Sequence, residues 1–515
     1  MRIAARLRLV ITLIVFTPLT AAAQPDLSGI WRVMNSAAFD LQEHHAQPGV
    51  PAGASVVVGG DIPYQPWALK QRDENFAARA TADPESQCYL PGVPRATYQG
   101  LPFEIVQTYD QLVFLYEYAH AVRYVYTNGT PHPRGPINWW MGDSRGRWEG
   151  DTLVVDVVHF TDQTWLDKAG NFHSDELHVV ERYTPLGPDH IQYEATLEDP
   201  KVFTRPWTIR MILYRQKEQF ARVLEYECYG FEHEEHYPYP GATLTLAPLR
   251  PAPIDPGARP AAEWTGARTA DGQPDVQGFW STVVQGTYDV TDPRTGGGRL
   301  DEILRERSGA GRVRRPNRVV DPADGRIPMQ PWAEEKFREI TAHIDNPTHQ
   351  THIDTQVRCL PTGVPRPLWF GQFRIVQTPR RVLILNEGYH LFRSIALDGR
   401  PPLGPRARLW MGDSRGRWEG NTLVVESTNF NGKPRIDMVG HFASDALQTT
   451  ERWTFVDADT IEYRVTLDDP TVFTRPWTMA AQIKRRVQPG YEFWEDGCHE
   501  GERSADEMIK RAGSN

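Results

Sequence analysis

The stretch Trp-Met-Gly-Asp-Ser-Arg-Gly-Arg-Trp-Glu-Gly fills residues 140–150 and recurs letter for letter at 410–420. The offset of 270 residues then holds without a gap from Phe103/Phe373 to Cys228/Cys498. It carries Thr-Leu-x-Asp-Pro (196–200 and 466–470) and Phe-Thr-Arg-Pro-Trp-Thr (203–208 and 473–478) along with it. A chain like this is one folding unit made twice, so any function has to be placed on a duplicated scaffold.

The first residues read as a secretory signal. Arg2, Arg6 and Arg8 precede an apolar run from Leu9 to Phe16, and Ala21-Ala22-Ala23 offers a small-residue cleavage site before Gln24. The run is too short for a membrane span, and no later stretch is apolar enough for one, so no stable membrane insertion is expected after cleavage. Export to the periplasm or beyond is the expectation. Removing residues 1–23 takes away three arginines and no acid, which moves the net charge from −10 to about −13. Nucleic acid is therefore excluded as a partner, since no Lys/Arg stripe opposes that average. Cys88 and Cys228 bracket one copy, Cys359 and Cys498 the other. In an exported protein this predicts one disulfide per copy, each closing a loop that contributes roughly 5 kcal/mol in the chain-entropy model. A four-cysteine zinc site lacks a close Cys-x-x-Cys pair, so no metal is expected there.

Taken in order, residues 1–23 form the leader, 24–236 the first domain, 237–273 a Pro-rich linker, 274–505 the second domain and 506–515 a tail. Unequal loops follow the opening strand of each copy, Ser36 to Gly60 and Ser281 to Gly325. Ile-Pro-x-Gln-Pro-Trp-Ala (62–68 and 327–333) leads into one helix per copy, with Pro66 and Pro331 suited to the first helical position. The helices should end near Asp83-Pro84 and Asn346-Pro347. Beyond them the period changes from helical to two. Ile191, Tyr193, Ala195 and Leu197 alternate with Gln192, Glu194, Thr196 and Glu198, and residues 461–468 repeat the pattern. That is a strand with one wet face. The expected fold is mainly β: two tandem antiparallel, barrel-like meanders, each with a short helix and a disulfide.

Chemistry is sought in charges that share a strand face with apolar residues. Asp156 shares its face with Val154, Val158 and Phe160, and Glu426 takes its place in the second copy. Glu181 shares its face with Leu177, Val179 and Tyr183, and Glu451 is its twin. Glu117 and Arg123, with Glu387 and Arg393, have the parity of a third strand. If these faces line a barrel, each copy holds carboxylates and an arginine among apolar walls, either as a ligand-binding head or as a structural ion-pair network. Asp156 and Glu181 are the candidate catalytic acid and base. His132, Trp165, His173 and His178 occur in the first copy only, opposite Pro402, Arg435, Ala443 and Gln448. They mark where function has diverged, as ligand-binding groups, as two histidines that with a nearby acid could ligate a metal or shuttle protons, or as surface or loop histidines. By parity His178 points away from Glu181. Two look-alikes fail. Glu232-His-Glu-Glu-His236 has its histidines three apart rather than four, and Gly142-Asp-Ser-Arg-Gly146 leads into a strand rather than a nucleophile elbow.

Pro25–Trp31, Cys88–Arg95, Gly146–Asp156 and His173–Arg182 together resemble an uncharacterised family of exported bacterial proteins. The resemblance covers the first copy nearly end to end and implies export and no particular activity. Asn421, Glu426, Ala443 and Gln448 depart from it in the second copy. A looser resemblance to lipocalin-like barrels rests on Gly29-x-Trp31 and Gly278-x-Trp280, and implies a tryptophan closing each barrel floor. The leading expectation is an exported protein that binds a small organic ligand in a pocket of each domain, chiefly the first. An acid–base enzyme (lyase, isomerase or hydrolase) and a cell-envelope interaction protein are the alternatives. The sequence names no cofactor.

Overall fold

The computed structural model describes residues 24–226, 264–283, 289–291, 317–499 and 504–512. The expected leader, Cys228, and most of the linker and of the second long loop lie outside the described residues. In the first copy nine strands close into a barrel: β1 (Gly29–Val33), β2 (Phe103–Gln107), β3 (Gln111–Tyr116), β4 (Val122–Tyr126), β5 (Asp143–Glu149), β6 (Thr152–Val158), β7 (His178–Pro185), β8 (His190–Glu198) and β9 (Trp207–Arg215). The second copy repeats them as β10 (Gly278–Thr282), β12 (Phe373–Thr378), β13 (Arg381–Asn386), β14 (Phe392–Ala396), β15 (Asp413–Glu419), β16 (Thr422–Thr428), β17 (Gln448–Asp457), β18 (Thr460–Asp468) and β19 (Trp477–Arg486). There a short β11 (Val319–Asp321) is added alongside β19, while β10 closes the barrel on it. The alternation expected at 191–198 is the observed burial of β8, apolar residues in and polar residues out.

One pairing departs from a meander. β4 runs parallel to β5, and β14 parallel to β15. A hairpin cannot join parallel neighbours, so the chain must cross the barrel end between them. Residues 127–142 and 397–412 are those crossovers. Helix α1 (Pro66–Ala82) and α2 (Pro331–Ala342) begin at the expected prolines. The first stops before Asp83 as expected, but at 17 residues it is not short, and the second ends four residues ahead of Asn346. Trp264, which falls within the expected linker, packs into the second core.

Both interiors are filled. Trp31, Phe103, Phe114, Tyr183 and Trp207 occupy the first barrel, and Trp280, Phe373, Trp453, Phe455 and Trp477 the second. In the middle of each sits a buried ion pair. The Arg123 guanidinium donates to both oxygens of Glu181 and, through Nε, to the Ser144 hydroxyl at 2.9 Å. Tyr183 and Tyr193 donate their hydroxyls to Glu181 Oε1 at 3.0 and 2.8 Å. Arg393 and Glu451 repeat this with Ser414, Trp453 and Tyr463. Both carboxylate oxygens of each glutamate accept a hydrogen bond from the arginine, and one of them accepts two more from aromatic side chains, which is how two charges survive in an apolar core.

The barrels pack against each other through the outer faces of β2–β4 and β12–β14. Val106, Val113, Leu115 and Val122 meet Val376, Leu383 and Leu385. Glu104 pairs with Arg381, and Arg374 donates to Gln111 Oε1 at 2.6 Å across the same seam. Cys359 and Cys498 form a disulfide that spans the second copy, and Cys88 is disulfide-bonded as well.

Removing one partner of the barrel pair leaves a buried uncompensated charge. Arg123→Met or Glu181→Gln is therefore expected to lower the unfolding free energy by about 3–5 kcal/mol, and Arg123→Met with Glu181→Leu to recover most of it. Urea denaturation followed by tryptophan fluorescence measures both. A single-variant loss below about 1 kcal/mol would show that the pair does not hold the barrel.

Candidate functional site

The two copies exchange their ends. After β9 the chain runs onto the second barrel, and after β19 it runs onto the first. The carboxylate of Glu495 accepts the backbone N–H groups of Trp140 and Met141 at 2.6 and 2.9 Å. Glu225, 270 residues earlier, accepts those of Trp410 and Met411 in the other barrel. Arg222 meets Asp413 at 2.5 Å, and Glu492 meets Arg145 at 2.9 Å. Each arm thus satisfies donors that the other copy's crossover leaves open. Sequence reasoning did not single out Glu225 and Glu495. Their recurrence at the repeat offset, three residues before the repeated cysteine, was the available signal.

A cavity of about 330 Å³ lies where the C-terminal arm passes over the first barrel. Tyr124 and Tyr126 reach it from the outer face of β4, Trp139 from the crossover, and Tyr491, Phe493 and Trp494 from the arm. Tyr124 stands edge-on to Phe493 with ring centroids 5.8 Å apart, and Trp139 lies 5.8 Å from Trp494. Gly142 closes the crossover at φ +69°, where a Cβ would come within 2.8 Å of the Phe160 ring. Only glycine fits that turn. The equivalent cavity on the second barrel holds about 70 Å³. Ser394, Ala396, Leu409, Val223 and Leu224 stand there in place of Tyr124, Tyr126, Trp139, Phe493 and Trp494.

A chain of ionisable groups runs from the first cavity along the barrel's outer face. Arg145 grips Asp143 through Nε and Nη2 at 2.7 and 2.6 Å, and both residues line the cavity. Asp143 Oδ2 is 2.5 Å from His132 Nδ1, and His132 Nε2 is 3.7 Å from Asp156, which is hydrogen-bonded to His178 Nε2 at 2.8 Å. Burial alone would raise the Asp143 carboxyl, but the hydrogen bonds from His132 and Arg145 outweigh it and hold it below the usual range. The second copy has Pro402 and Gln448 where these histidines stand.

The remaining expected site residues are scattered. Asp156 lies on the outside of the barrel and Glu181 on the inside, so the expected catalytic pair is separated by the sheet. Parity had grouped Asp156 correctly with Val154 and Val158, but that group faces outward. Arg123 and Arg393 are inside, as are Glu181 and Glu451, in the ion pairs described above. Glu117 and Glu387 are not on a strand with those arginines. They sit in the turn before β4 or β14, where Glu117 accepts the Leu224 N–H at 3.0 Å and Glu387 accepts the Tyr491 hydroxyl. Both therefore anchor the departing arms. Glu426 pairs with Arg417 on the outer face of the second barrel at 3.0 Å. Trp165 and His173 are buried away from His178. The His173 ring nitrogens reach the Thr164 hydroxyl at 2.6 Å and the Ser174 carbonyl at 2.8 Å, and burial lowers its pKa.

Comparison with protein-family models, with curated proteins and with solved structures gave no match.

Burial against Trp140 and Met141 pushes the Glu495 carboxyl up to about 7, although both N–H bonds pull the other way. Its folded pKa lies above the unfolded value near 4.5, so the folded state holds the extra proton and stability falls as pH rises from 4.5 to 7. Glu495→Gln has no such proton. The stability of wild type relative to this variant, from urea denaturation, should drop by the order of 1–3 kcal/mol between pH 4.5 and 7 and then level off. A difference independent of pH would show that this carboxyl is not strained by its place between the arm and the crossover.

Proposed function

We propose that this chain is an exported protein that binds one small aromatic molecule between the first barrel and the C-terminal arm. The observation that carries the reading is the contrast between two equivalent cavities. One is walled by six aromatic side chains and open to about 330 Å³, and the other has small or aliphatic residues at five of those places and about 70 Å³. Aromatic walls with a few polar groups at one end are the usual make-up of a small-molecule site, and this volume lies at the lower end of such sites. Flat ligands gain most there, since rings can stack on Trp139 and Trp494 while Arg145 and Asp143 orient a polar substituent. The expectation of a pocket inside each barrel is replaced by this outer site, because the barrel interiors are side-chain core. Export fits the basic and apolar N-terminus and the use of every described cysteine in a disulfide.

A second reading, acid–base catalysis on the bound molecule, is favoured by one feature. His132 lies between Asp143 at the cavity and Asp156 outside it, an arrangement that can hold or pass a proton.

Native mass spectrometry of the mature chain, with a titration using the neutral aromatic probe N-phenyl-1-naphthylamine, tests the binding reading. One equivalent of probe or of a co-purified organic ligand is expected. Trp139→Ala should weaken probe binding about tenfold or more, and Leu409→Ala, at the equivalent place in the other barrel, should leave it unchanged. Cys498→Ser, which frees the arm, should weaken it as well. Equal binding by wild type and Trp139→Ala would remove the pocket from consideration. Turnover that His132→Gln abolishes while binding persists would decide for catalysis.

A further inference from the structure

We infer that the second barrel carries a site for a divalent transition metal of the zinc class, formed by Glu339, His343 and His352. One ligand atom from each residue lies within 4.8 Å of the other two. A bound ion with metal–ligand bonds of about 2.0–2.2 Å sets its ligand atoms roughly 3–4 Å apart, so small side-chain rotations close the set.

The local fold explains why the three meet. Glu339 and His343 are one helical turn apart at the end of α2, on the same face. The chain then doubles back through 344–349 into a single turn at Gln350–His352, which stacks the His352 ring on that of His343 with centroids 4.3 Å apart. Arg435 donates to the Thr351 carbonyl and pins this turn to the barrel. The C-terminal helix α3 (Ser504–Ala512) packs against it. The first copy has nothing comparable: 19 residues separate Ala68 from Cys88, against 25 between Ala333 and Cys359. The extra length brings in the histidines.

The hydrogen bonds orient the ligands as metal sites do. His343 Nδ1 lies 2.8 Å from the Glu339 backbone carbonyl, which fixes the proton on Nδ1 and leaves Nε2 with a free lone pair. His352 Nε2 points at Glu339 Oε1, 2.6 Å away, while its Nδ1 stands 3.3 Å from the Thr348 N–H and 3.4 Å from the Thr348 hydroxyl, an oxygen that can accept an Nδ1 proton. A metal on Nε2 would displace the proton of the bond to Glu339, and the neutral ring would then carry its one proton on Nδ1, toward the Thr348 hydroxyl. Lys336 holds the other carboxylate oxygen at 2.5 Å, so Glu339 is fixed in place with Oε1 presented. Two imidazoles and one carboxylate suit zinc, cobalt, nickel or copper better than calcium or magnesium, and leave a coordination position for water or a ligand. Among the described residues a second three-residue cluster, Asp289, Asp437 and His441, is less suited. Both Asp437 oxygens already accept backbone N–H groups from Val290, Gly440 and His441.

The site lies on the second barrel, so its fate is independent of the aromatic pocket on the first. The full mature chain, stripped with a chelator, is titrated with ZnCl2 alone, and bound metal is counted by elemental mass spectrometry. One equivalent per chain is expected. His343→Ala should weaken it at least ~100-fold, beyond what the loss of an orienting outer partner does. Glu339→Gln, which preserves the helix and the shape of the side chain, is the second variant and should also weaken it. CoCl2 should give a visible spectrum in wild type that both variants lose. Wild-type chain that takes up no stoichiometric zinc overturns the assignment. So does zinc retained at wild-type affinity by either variant.

Discussion

The parallel pairing of β4 with β5, repeated by β14 with β15, is the constraint on which the functional architecture depends. It forces a long crossover where a hairpin would otherwise stand, and the crossover exposes backbone donors at Trp140–Met141 and at Trp410–Met411. Those donors are buried when the barrels meet and cannot be left unpaired. The fold answers with carboxylates from outside the barrel, Glu495 for one crossover and Glu225 for the other. Because each carboxylate comes from the other copy's arm, the solution to a local hydrogen-bonding problem also joins the two halves. The cavity under the C-terminal arm is a consequence of that exchange rather than a feature of either barrel.

What the copies share is therefore largely fold. The Arg123–Glu181 and Arg393–Glu451 pairs, the arm carboxylates and the apolar seam recur because both barrels need them. What they do not share gathers at two places. Aromatic residues and the His132–His178 chain collect on the first barrel, and Glu339, His343 and His352 on the second. An ion pair in a barrel core is a weak source of stability next to an apolar replacement. Its presence in both copies, with a serine accepting from the arginine and tyrosine or tryptophan donating to the glutamate, points to a role in fixing which residues face inward.

The repeat, the strand periods and the mainly β fold were legible in the chain because they depend on local alternation. β8 shows why: polar and apolar residues alternate cleanly, so inside and outside are distinguishable. β6 shows the limit. With valine at 154, 155, 157 and 158, both faces are apolar, and parity groups residues without saying which group is inward. The pairing of Asp156 with Glu181 fails for this reason, since the two stand on opposite sides of the sheet. Glu117 failed for another reason. Ala119 and His120 take positive φ values in the turn that follows it, and a period of two does not continue through such a turn. The exchanged arms were invisible because their contacts lie hundreds of residues away in sequence, as between Glu495 and Trp140. The metal-ligating cluster had a local signal, glutamate and histidine one turn apart with two more histidines soon after, which comparison of the copies at one fixed offset passes over because the segment between the helix and Cys359 is longer in the second copy.

Fusion of the copies has a consequence for the site. In a dimer of identical chains the two interface cavities would be related by symmetry, and any residue that suits one would be present in the other. Here Trp139 and Trp494 come from different copies, yet both belong to the larger cavity, while Leu409 and Leu224 occupy the smaller one. A tandem of copies free to differ permits this sorting, since it lets a crossover and the arm that covers it change together without altering their twins. The duplication thus supplies two things at once: an interface large enough to create cavities outside well-packed barrels, and the independence that lets one cavity fill in while the other keeps its aromatic walls.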